Sequence, residues 1–346
     1  MRTLPLGRFD SRPTPPLDTL IGSGLDARQF TDLSTLSDES LVVSNARFYV
    51  RTTSPQIPRE PWVVRMGGQV RRPLELPLET LRALVRPAGV NLLECAGNTD
   101  PANFGLISAA AWSGVPVAAL LDRVTPLSGP WRIRVTGVDH PQSSRSSVAG
   151  AAWVFSRDEL ERSGAFLATE MNGVPLPPDH GSPVRLVVPG WYGCACIKWV
   201  SQVELVSNDV PATSQMGEFA ARTHQQGAPA LARDFEPAVI DLAATPIRVE
   251  QWIVNGRLTY RVIGIMWGGA KPTSALTIRF KYNQPFVPVD QVALPTSTAT
   301  WSLWSHSWRP ESPGRYQVVL RASDPTIRTR RLDIFWYTRD VEIDEV

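Results

Sequence analysis

One cysteine of this chain ends a short apolar run and directly precedes a Gly-Asn turn, in the segment Asn91-Leu-Leu-Glu-Cys-Ala-Gly-Asn98. The turn would free backbone N–H groups and leave the sulfur of Cys95 accessible. A thiolate is a soft ligand, suited to soft metals or to high-valent metals that carry other sulfur ligands. A cysteine at a strand end is more often a small buried residue. The residue type therefore favours a structural role, whereas the context favours a metal ligand.

Two later segments gather glycine, proline and cationic residues around short apolar runs. Asp179-His-Gly-Ser-Pro-Val-Arg185 places His180 and Arg185 five residues apart. The planar fork of an arginine suits phosphate, so this loop could bind one. Gly190-Trp-Tyr-Gly-Cys-Ala-Cys-Ile-Lys-Trp199 brings Lys198 on the following strand. The structural alternatives are a satisfied or surface histidine and a strand lysine that extends its ammonium to water.

Cys194 and Cys196 form a Cys-x-Cys pair. No second pair is present to complete a tetrahedral metal site, and a disulfide between two residues of one strand would be strained. We expect two ordinary buried or half-buried thiols.

The three segments, in this order, resemble the signature segments of the sulfite oxidase family of molybdenum enzymes. The resemblance extends over about residues 45–337. It implies that Cys95 is the only protein ligand to a molybdenum held by molybdopterin. It also implies that His180, Arg185 and Lys198 contact this cofactor.

Two shorter matches add candidate residues to the site. Phe48-Tyr-Val-Arg-Thr-Thr53 resembles the family's entry segment, in which an arginine, here Arg51, reaches the oxyanion beside the metal. Thr53 stands where the family often has a histidine, and is a further candidate cofactor contact. Asp139 matches an aspartate that bonds the pterin ring in relatives, although an exposed turn aspartate is the alternative.

Departures from the family pattern concern the substrate. Relatives that oxidise sulfite usually carry two arginines where this chain has Thr99 and Asp100. A family tyrosine is matched near Phe219, and an arginine of the second domain is matched by Ser302. An unpaired carboxylate repels a dianion in a low-dielectric pocket. We therefore expect Arg51 to be the main anion anchor, and sulfite to be a poor substrate.

Local patterns predict the elements that position these residues. Residues 90–93 read as a buried strand that delivers Cys95, Ser156-Arg-Asp-Glu159 as a capping box that begins a helix, and Asn172-Gly173 as a hairpin turn. From residue 247 the chain reads as short strands, the last at 331–337, as in an immunoglobulin-type β-sandwich. The predicted class is α+β. An irregular lead-in (1–45), a mixed α/β molybdopterin-binding domain (46–208), a linker (209–237) and an all-β immunoglobulin-like domain (238–346) follow one another.

Composition limits the partners. A net charge of +2 with scattered cations gives no indication of nucleic-acid binding, and no apolar run is long enough to span a bilayer. Three cysteines predict no disulfide framework, which favours a reducing compartment. We expect a cytoplasmic protein, or alternatively a periplasmic mature chain whose leader has been removed. The resemblance implies a homodimer, and the missing haem motif implies a separate electron partner such as a cytochrome.

Three functional hypotheses follow. The first is a molybdenum oxidoreductase of sulfite oxidase or dehydrogenase type, which transfers an oxo group and passes electrons to a separate acceptor. The second is an S-oxide or N-oxide reductase on the same cofactor. The third, from a different class, is a non-catalytic immunoglobulin-like binding protein that contains no molybdenum.

Overall fold

The protein is rich in short strands and contains few helices. The computed structural model describes residues 1–4, 6, 15–57, 61–99, 104–139, 151–295, 297–334 and 337–346. The strands in this part of the chain are β1 (Arg2–Leu4), β2 (Arg28–Gln29), β3 (Val50–Arg51), β4 (Val63–Gly68), β5 (Leu74–Pro77), β6 (Arg86–Glu94), β7 (Ile107–Pro116), β8 (Trp131–Gly137), β9 (Ala152–Phe155), β10 (Phe166–Met171), β11 (Val174–Pro175), β12 (Arg185–Val187), β13 (Val200–Ser207), β14 (Ala243–Val254), β15 (Arg257–Trp267), β16 (Leu276–Arg279), β17 (Val287–Pro288), β18 (Gln291–Val292), β19 (Trp301–Trp308), β20 (Gly314–Ala322) and β21 (Arg339–Ile343). The α-helices are α1 (Leu78–Ala83), α2 (Val117–Leu121), α3 (Arg157–Ser163) and α4 (Ser214–Phe219).

Two sheets form the first half of the chain. One has the strand order β11-β10-β7-β6, with β12 also paired to β10, and the other has the order β5-β4-β13-β8-β9. The long antiparallel pair of β6 and β7 packs Leu93 and Ile107 into the core with no exposed surface. β6 ends at Glu94, so the predicted strand that delivers Cys95 is confirmed.

The predicted turn chemistry is also confirmed. The Ser156 hydroxyl accepts a hydrogen bond from the Glu159 amide, and the Glu159 carboxylate accepts one from the Ser156 amide, so the capping box begins α3. Asn172 and Gly173 both have positive φ and join β10 to β11 as a hairpin. Both patterns depend only on residues a few positions apart, so they can be predicted without knowledge of the tertiary structure.

The two segments predicted to be irregular contain ordered elements, so those predictions are partly wrong. β2 of the lead-in pairs with β3 and places Arg28 opposite Arg51. In the 209–237 segment, the Thr213 hydroxyl accepts from the Met216 amide and caps α4, which continues into a 3-10 turn at Ala220–Arg222. Neither segment shows the apolar periodicity that sequence prediction relies on, because each is held by contacts to other parts of the chain.

The second half of the chain forms two antiparallel sheets that face each other. Their strand orders are β1-β14-β15-β19-β18 and β17-β16-β20-β21, and β14 contacts both β20 and β21. β1, at the start of the chain, pairs with β14 at the sheet edge, where Arg2 lies opposite Gln251. Among the described residues no helix has both the length and the apolar character that crossing a membrane would require.

The strand predicted at 331–337 is wrong. The described residues of this segment form turns, in which the Tyr337 and Thr338 amides donate to the Ile334 carbonyl. The ring of Tyr337 packs edge-on against Phe104 of the first half, at a centroid distance of 5.3 Å. This contact between the halves overrides the alternating pattern, and the final strand of the sheet is β21 instead.

A buried ion pair joins the two halves. Arg330 donates to both carboxylate oxygens of Glu94 at 2.7 and 2.6 Å, and Trp267 Nε1 donates to the same carboxylate at 2.8 Å. Glu94 is only 1% exposed. Burial alone would lower the pKa of Arg330, but the Glu94 carboxylate raises it well above its usual value.

Replacing Arg330 with Met should therefore destabilise the protein strongly. The Glu94 carboxylate would remain buried without its counter-ion, which costs about 3–5 kcal/mol of unfolding free energy. Thermal or urea unfolding measures the loss. The matched control is Arg65→Met, which breaks an ion pair to Glu75 whose side chains are 61% and 67% exposed, and should cost about 1 kcal/mol or less. A loss no larger for Arg330→Met than for the control would contradict the role given to the buried pair.

Candidate functional site

Cys95 leaves the end of β6 in a loop that directs backbone donors at its sulfur. The Cys95 amide donates to the Leu106 carbonyl at 3.0 Å, and the Asn98 amide donates to the Cys95 carbonyl at 2.9 Å. The Gly97 amide lies 3.3 Å from Sγ and donates to it. The sulfur of Cys95 thus has a backbone donor directed at it.

Sγ faces a cavity of about 880 Å³ that is partly open to solvent. Six of the seven predicted site residues line it: Arg51, Cys95, Asp139, His180, Arg185 and Lys198. The seventh, Thr53, is not among the lining residues; its neighbour Thr52 is, while the Thr53 hydroxyl accepts a hydrogen bond from the Gly24 amide at 2.7 Å.

Arg185 is a buried cation with an unsatisfied hydrogen-bond donor. Its Nη1 donates to the His180 carbonyl at 3.2 Å, and its guanidinium lies 5.9 Å from the centre of the Trp112 ring. Its Nε is buried and has no hydrogen-bond partner among the described residues. Burial lowers the pKa of Arg185. A buried guanidinium with an unpaired donor fits an anionic group such as a phosphate, so this residue fits the cofactor that the resemblance implies.

His180 is held neutral in a defined tautomer. Its Nε2 lies 2.9 Å from the Asn45 carbonyl oxygen, and since a carbonyl only accepts, Nε2 carries the proton. Burial, opposed in part by this hydrogen bond, lowers the pKa of His180 to about 4. The ring packs edge-on against Phe48. At neutral pH the remaining ring nitrogen, Nδ1, is an acceptor.

Lys198 cross-links the loops that line the cavity. Its Nζ donates to the Arg51 and Thr52 carbonyls at 3.2 and 2.5 Å, and to the Asp179 carbonyl at 3.0 Å. Burial lowers the pKa of Lys198 well below its usual value. The ammonium thus directs its three donors to the strand that carries Arg51 and to the loop that carries His180, which fixes both in place.

Arg51, the expected anion anchor, lies beside two further arginines, Arg28 and Arg222. Its Nη1 donates to the Leu25 carbonyl at 2.5 Å. Burial lowers the pKa of Arg51, and the nearby charge of Arg222 lowers it further. Burial and the charge of Arg51 likewise lower the pKa of Arg28 to about 10. Arg51 therefore lies within electrostatic range of both Arg28 and Arg222.

Sequence reasoning missed Arg28 and Arg222 because neither segment carries a local motif. Arg28 comes from the lead-in through its pairing opposite Arg51, and Arg222 comes from the turn after α4. Gln215, Glu218 and Phe219, also from the α4 segment, line the cavity. The Thr213 cap was the one signal that could have predicted a helix here.

The two other cysteines line the cavity, whereas the residue matched to a substrate-binding arginine does not. Cys194 and Cys196 are free and buried, as predicted, and both line the cavity. Burial raises the pKa of both thiols. Ser302 is buried in β19 opposite Met266 and does not line the cavity, so the match to a substrate-binding arginine identifies no contact there. Asp100 lies outside the described residues.

Comparisons with known proteins agree on the first half of the chain. Residues 51–214 match the sequence profile of the oxidoreductase molybdopterin binding domain family. The chain is 27% identical over 312 residues to sulfite oxidase of Gallus gallus, which covers 83% of this chain and 67% of that protein. It is 28% identical to the protein-methionine-sulfoxide reductase catalytic subunit MsrP of Xanthomonas axonopodis pv. citri, over 58% of this chain and 64% of that protein. The chain thus spans about two thirds of the length of these relatives.

A solved structure matches nearly the whole fold. It is the sulfane dehydrogenase SoxCD from Paracoccus pantotrophus, with a TM-score of 0.68 over 94% of this chain and 88% of that chain. At 17% sequence identity this likeness concerns the fold alone. Both halves of the chain fall within it.

The buried neutral His180 predicts a specific pH dependence of stability. Its folded pKa of about 4 lies below the ordinary value of 6.5, so stability is lost as pH falls from about 6.5 towards 4, where the unfolded chain binds the extra proton. The loss attributable to this group reaches about 3 kcal/mol. His180→Gln, whose amide can still donate to Asn45, should flatten this part of the pH profile. Urea unfolding of both proteins between pH 7.5 and 4.5 measures the difference, and parallel profiles would contradict the assignment.

Proposed function

Because residues 51–214 form an oxidoreductase molybdopterin-binding domain and the chain is related to sulfite oxidase, we propose that it is a molybdopterin-dependent enzyme of sulfite oxidase or dehydrogenase type. The observation that carries the proposal is the cavity that joins the Cys95 thiol to the unpaired donor of Arg185. When bound there, a molybdenum–molybdopterin centre would supply two-electron oxygen-atom transfer. The proposal includes an oxyanion substrate, oxidation of that substrate, and a separate protein as the electron acceptor.

We assign each lining residue a role. Cys95 is the protein ligand to molybdenum, through the sulfur to which the Gly97 amide donates. Arg185 binds a phosphate of the cofactor, neutral His180 accepts a hydrogen bond at Nδ1, and Asp139 bonds the pterin ring. Lys198 acts by positioning the loops, since its donors are directed to backbone carbonyls. Arg51 binds the substrate oxyanion, whereas Thr53 contributes only by fixing the loop at Gly24.

The alternative is a reductase of S-oxides or N-oxides on the same cofactor. It is supported by the similarity to the methionine-sulfoxide reductase MsrP. The three guanidinium groups near Cys95 favour the first proposal, because their charges attract an anion more strongly than a neutral S-oxide. The third hypothesis, a non-catalytic binding protein, is inconsistent with the molybdopterin-binding family match.

We further propose that residues 238–346 are an immunoglobulin-like domain that mediates a homodimer, that residues 46–208 form the cofactor domain, that 209–237 link the two and that 1–45 are an N-terminal lead-in. Two facing antiparallel sheets without a disulfide support the first assignment. Electrons would pass to or from a separate protein such as a cytochrome. The three free thiols support the cytoplasm as the compartment, with the periplasm as the alternative.

Replacing Cys95 with Ser should give a folded protein without redox turnover, because a serine hydroxyl does not replace a thiolate ligand. Sulfite oxidation with an artificial acceptor and S-oxide reduction with an artificial donor are measured together with molybdenum content. The matched control is Cys196→Ser, which changes a buried thiol that accepts a hydrogen bond from the Val188 amide at 3.4 Å and should keep turnover. Substantial turnover by Cys95→Ser in either assay would remove the assignment.

The proposed homodimer can be tested by its mass in solution. Light scattering of the purified chain at micromolar concentration should give about twice the 38.1 kDa of one chain. A monomer mass over the whole concentration range would contradict it.

A further inference from the structure

The end of the Arg222 side chain lies against the backbone of Gly97, close to Cys95. A β-carbon added to Gly97 would lie 3.0 Å from Arg222 Nη1 and 3.6 Å from Cys95 Sγ. We propose that Arg222 determines substrate specificity by binding a negatively charged oxygen of the substrate at the cavity mouth. This inference rests on the proposed function and names its substrate class, a small dianionic oxyanion such as sulfite.

Hydrogen bonds fix the turn that carries Arg222, so the backbone position of this residue is defined. The hydroxyl of Thr223 is buried and donates to the Phe219 carbonyl at 3.0 Å, and lies 3.3 Å from the Ala220 carbonyl. The guanidinium of Arg222 lies 5.8 Å from the centre of the Phe219 ring, which itself lines the cavity. A fixed turn and an aromatic support reduce the entropy that an exposed arginine would lose on binding an anion.

Arg222 retains donors for a ligand. Among the residues that the structure describes, it makes no hydrogen bond or ion pair, and its contact is with the face of Phe219. By contrast, Arg51 and Arg28 donate to backbone carbonyls of the lead-in at Leu25 and Ala27. Of these three guanidinium groups, that of Arg222 therefore makes the fewest hydrogen bonds to the described part of the protein.

The charges around Cys95 also favour an anion. Besides burial, the charge of Arg51 lowers the pKa of Arg28, and the charge of Arg222 lowers the pKa of Arg51, so Arg51 is repelled by a guanidinium group on each side. Two carboxylates also line the cavity. Glu218 belongs to α4, and the carboxylate of Asp179 accepts a hydrogen bond from the Ser54 amide at 2.7 Å. A dianion between Arg51 and Arg222 would relieve the repulsion, whereas a neutral S-oxide would not.

Sulfate is the probe, because it is a non-reacting dianion whose binding is measurable without turnover. In calorimetric titrations of the molybdenum-loaded enzyme, Arg222→Gln should weaken sulfate binding about tenfold, through loss of one charge-assisted contact. Arg222→Lys should recover part of the affinity. The matched control Arg162→Gln removes a surface arginine of α3 whose side chain is 77% exposed, and should bind sulfate like the wild type.

Gly97→Ala is the second variant, since its new methyl group would displace the end of the flexible Arg222 side chain. It should weaken sulfate binding by itself and have little further effect in the Arg222→Gln background, because both changes remove one contact. In turnover, Arg222→Gln should raise the KM for sulfite by a similar factor and change kcat little. The KM for a neutral sulfoxide should stay unchanged.

The outcomes separate this inference from the proposed function. If molybdenum-loaded wild type turns over neither sulfite nor an S-oxide, the proposed function fails, and the sulfate titrations still decide the role of Arg222. If Arg222→Gln binds sulfate as tightly as wild type and Arg162→Gln, or if wild type binds no sulfate, the role of Arg222 is overturned. An equal rise in KM for sulfite and for a neutral sulfoxide would also overturn it.

Discussion

The buried Glu94–Arg330 pair is the interaction on which the arrangement of the cavity depends, because Glu94 directly precedes Cys95. The Glu94 carbonyl accepts from the Gly193 amide at 2.7 Å, and its carboxylate accepts from Arg330 and Trp267 of the second half. Burying this carboxylate costs several kcal/mol of desolvation, which several charge-assisted hydrogen bonds offset only when all partners are in place. The position of the metal-ligand candidate is thereby linked to the docking of the β-rich half.

The cavity is lined by cationic side chains that backbone carbonyls hold in place. Lys198 and Arg185 are buried, and burial lowers the pKa of each. Their donors are directed to carbonyls of the same loops that carry Arg51 and His180. Because these donors are fixed by the fold, an anionic group that entered the cavity would meet donors already in place. This also explains why the neutral state of His180 matters, since a further cation there would add to the repulsion.

Sequence reasoning was most successful where the signal is local. The strand before Cys95, the capping box at Ser156 and the hairpin at Asn172 depend on neighbours within a few residues, and all three were predicted. The strand predicted at 331–337 failed, because the alternating pattern there serves a contact with the other half rather than a sheet.

The sequence by itself determined the motif residues of the site, since Cys95, His180, Arg185 and Lys198 follow in recognisable order beside turns of fixed chemistry. Tertiary structure alone decided which other residues join them. Arg28 pairs opposite Arg51, the end of Arg222 lies against the backbone of Gly97, and Glu94 gains its partner from a residue 236 positions away. These contacts depend on chain segments that meet only after folding, and no local pattern of residue types encodes such a meeting.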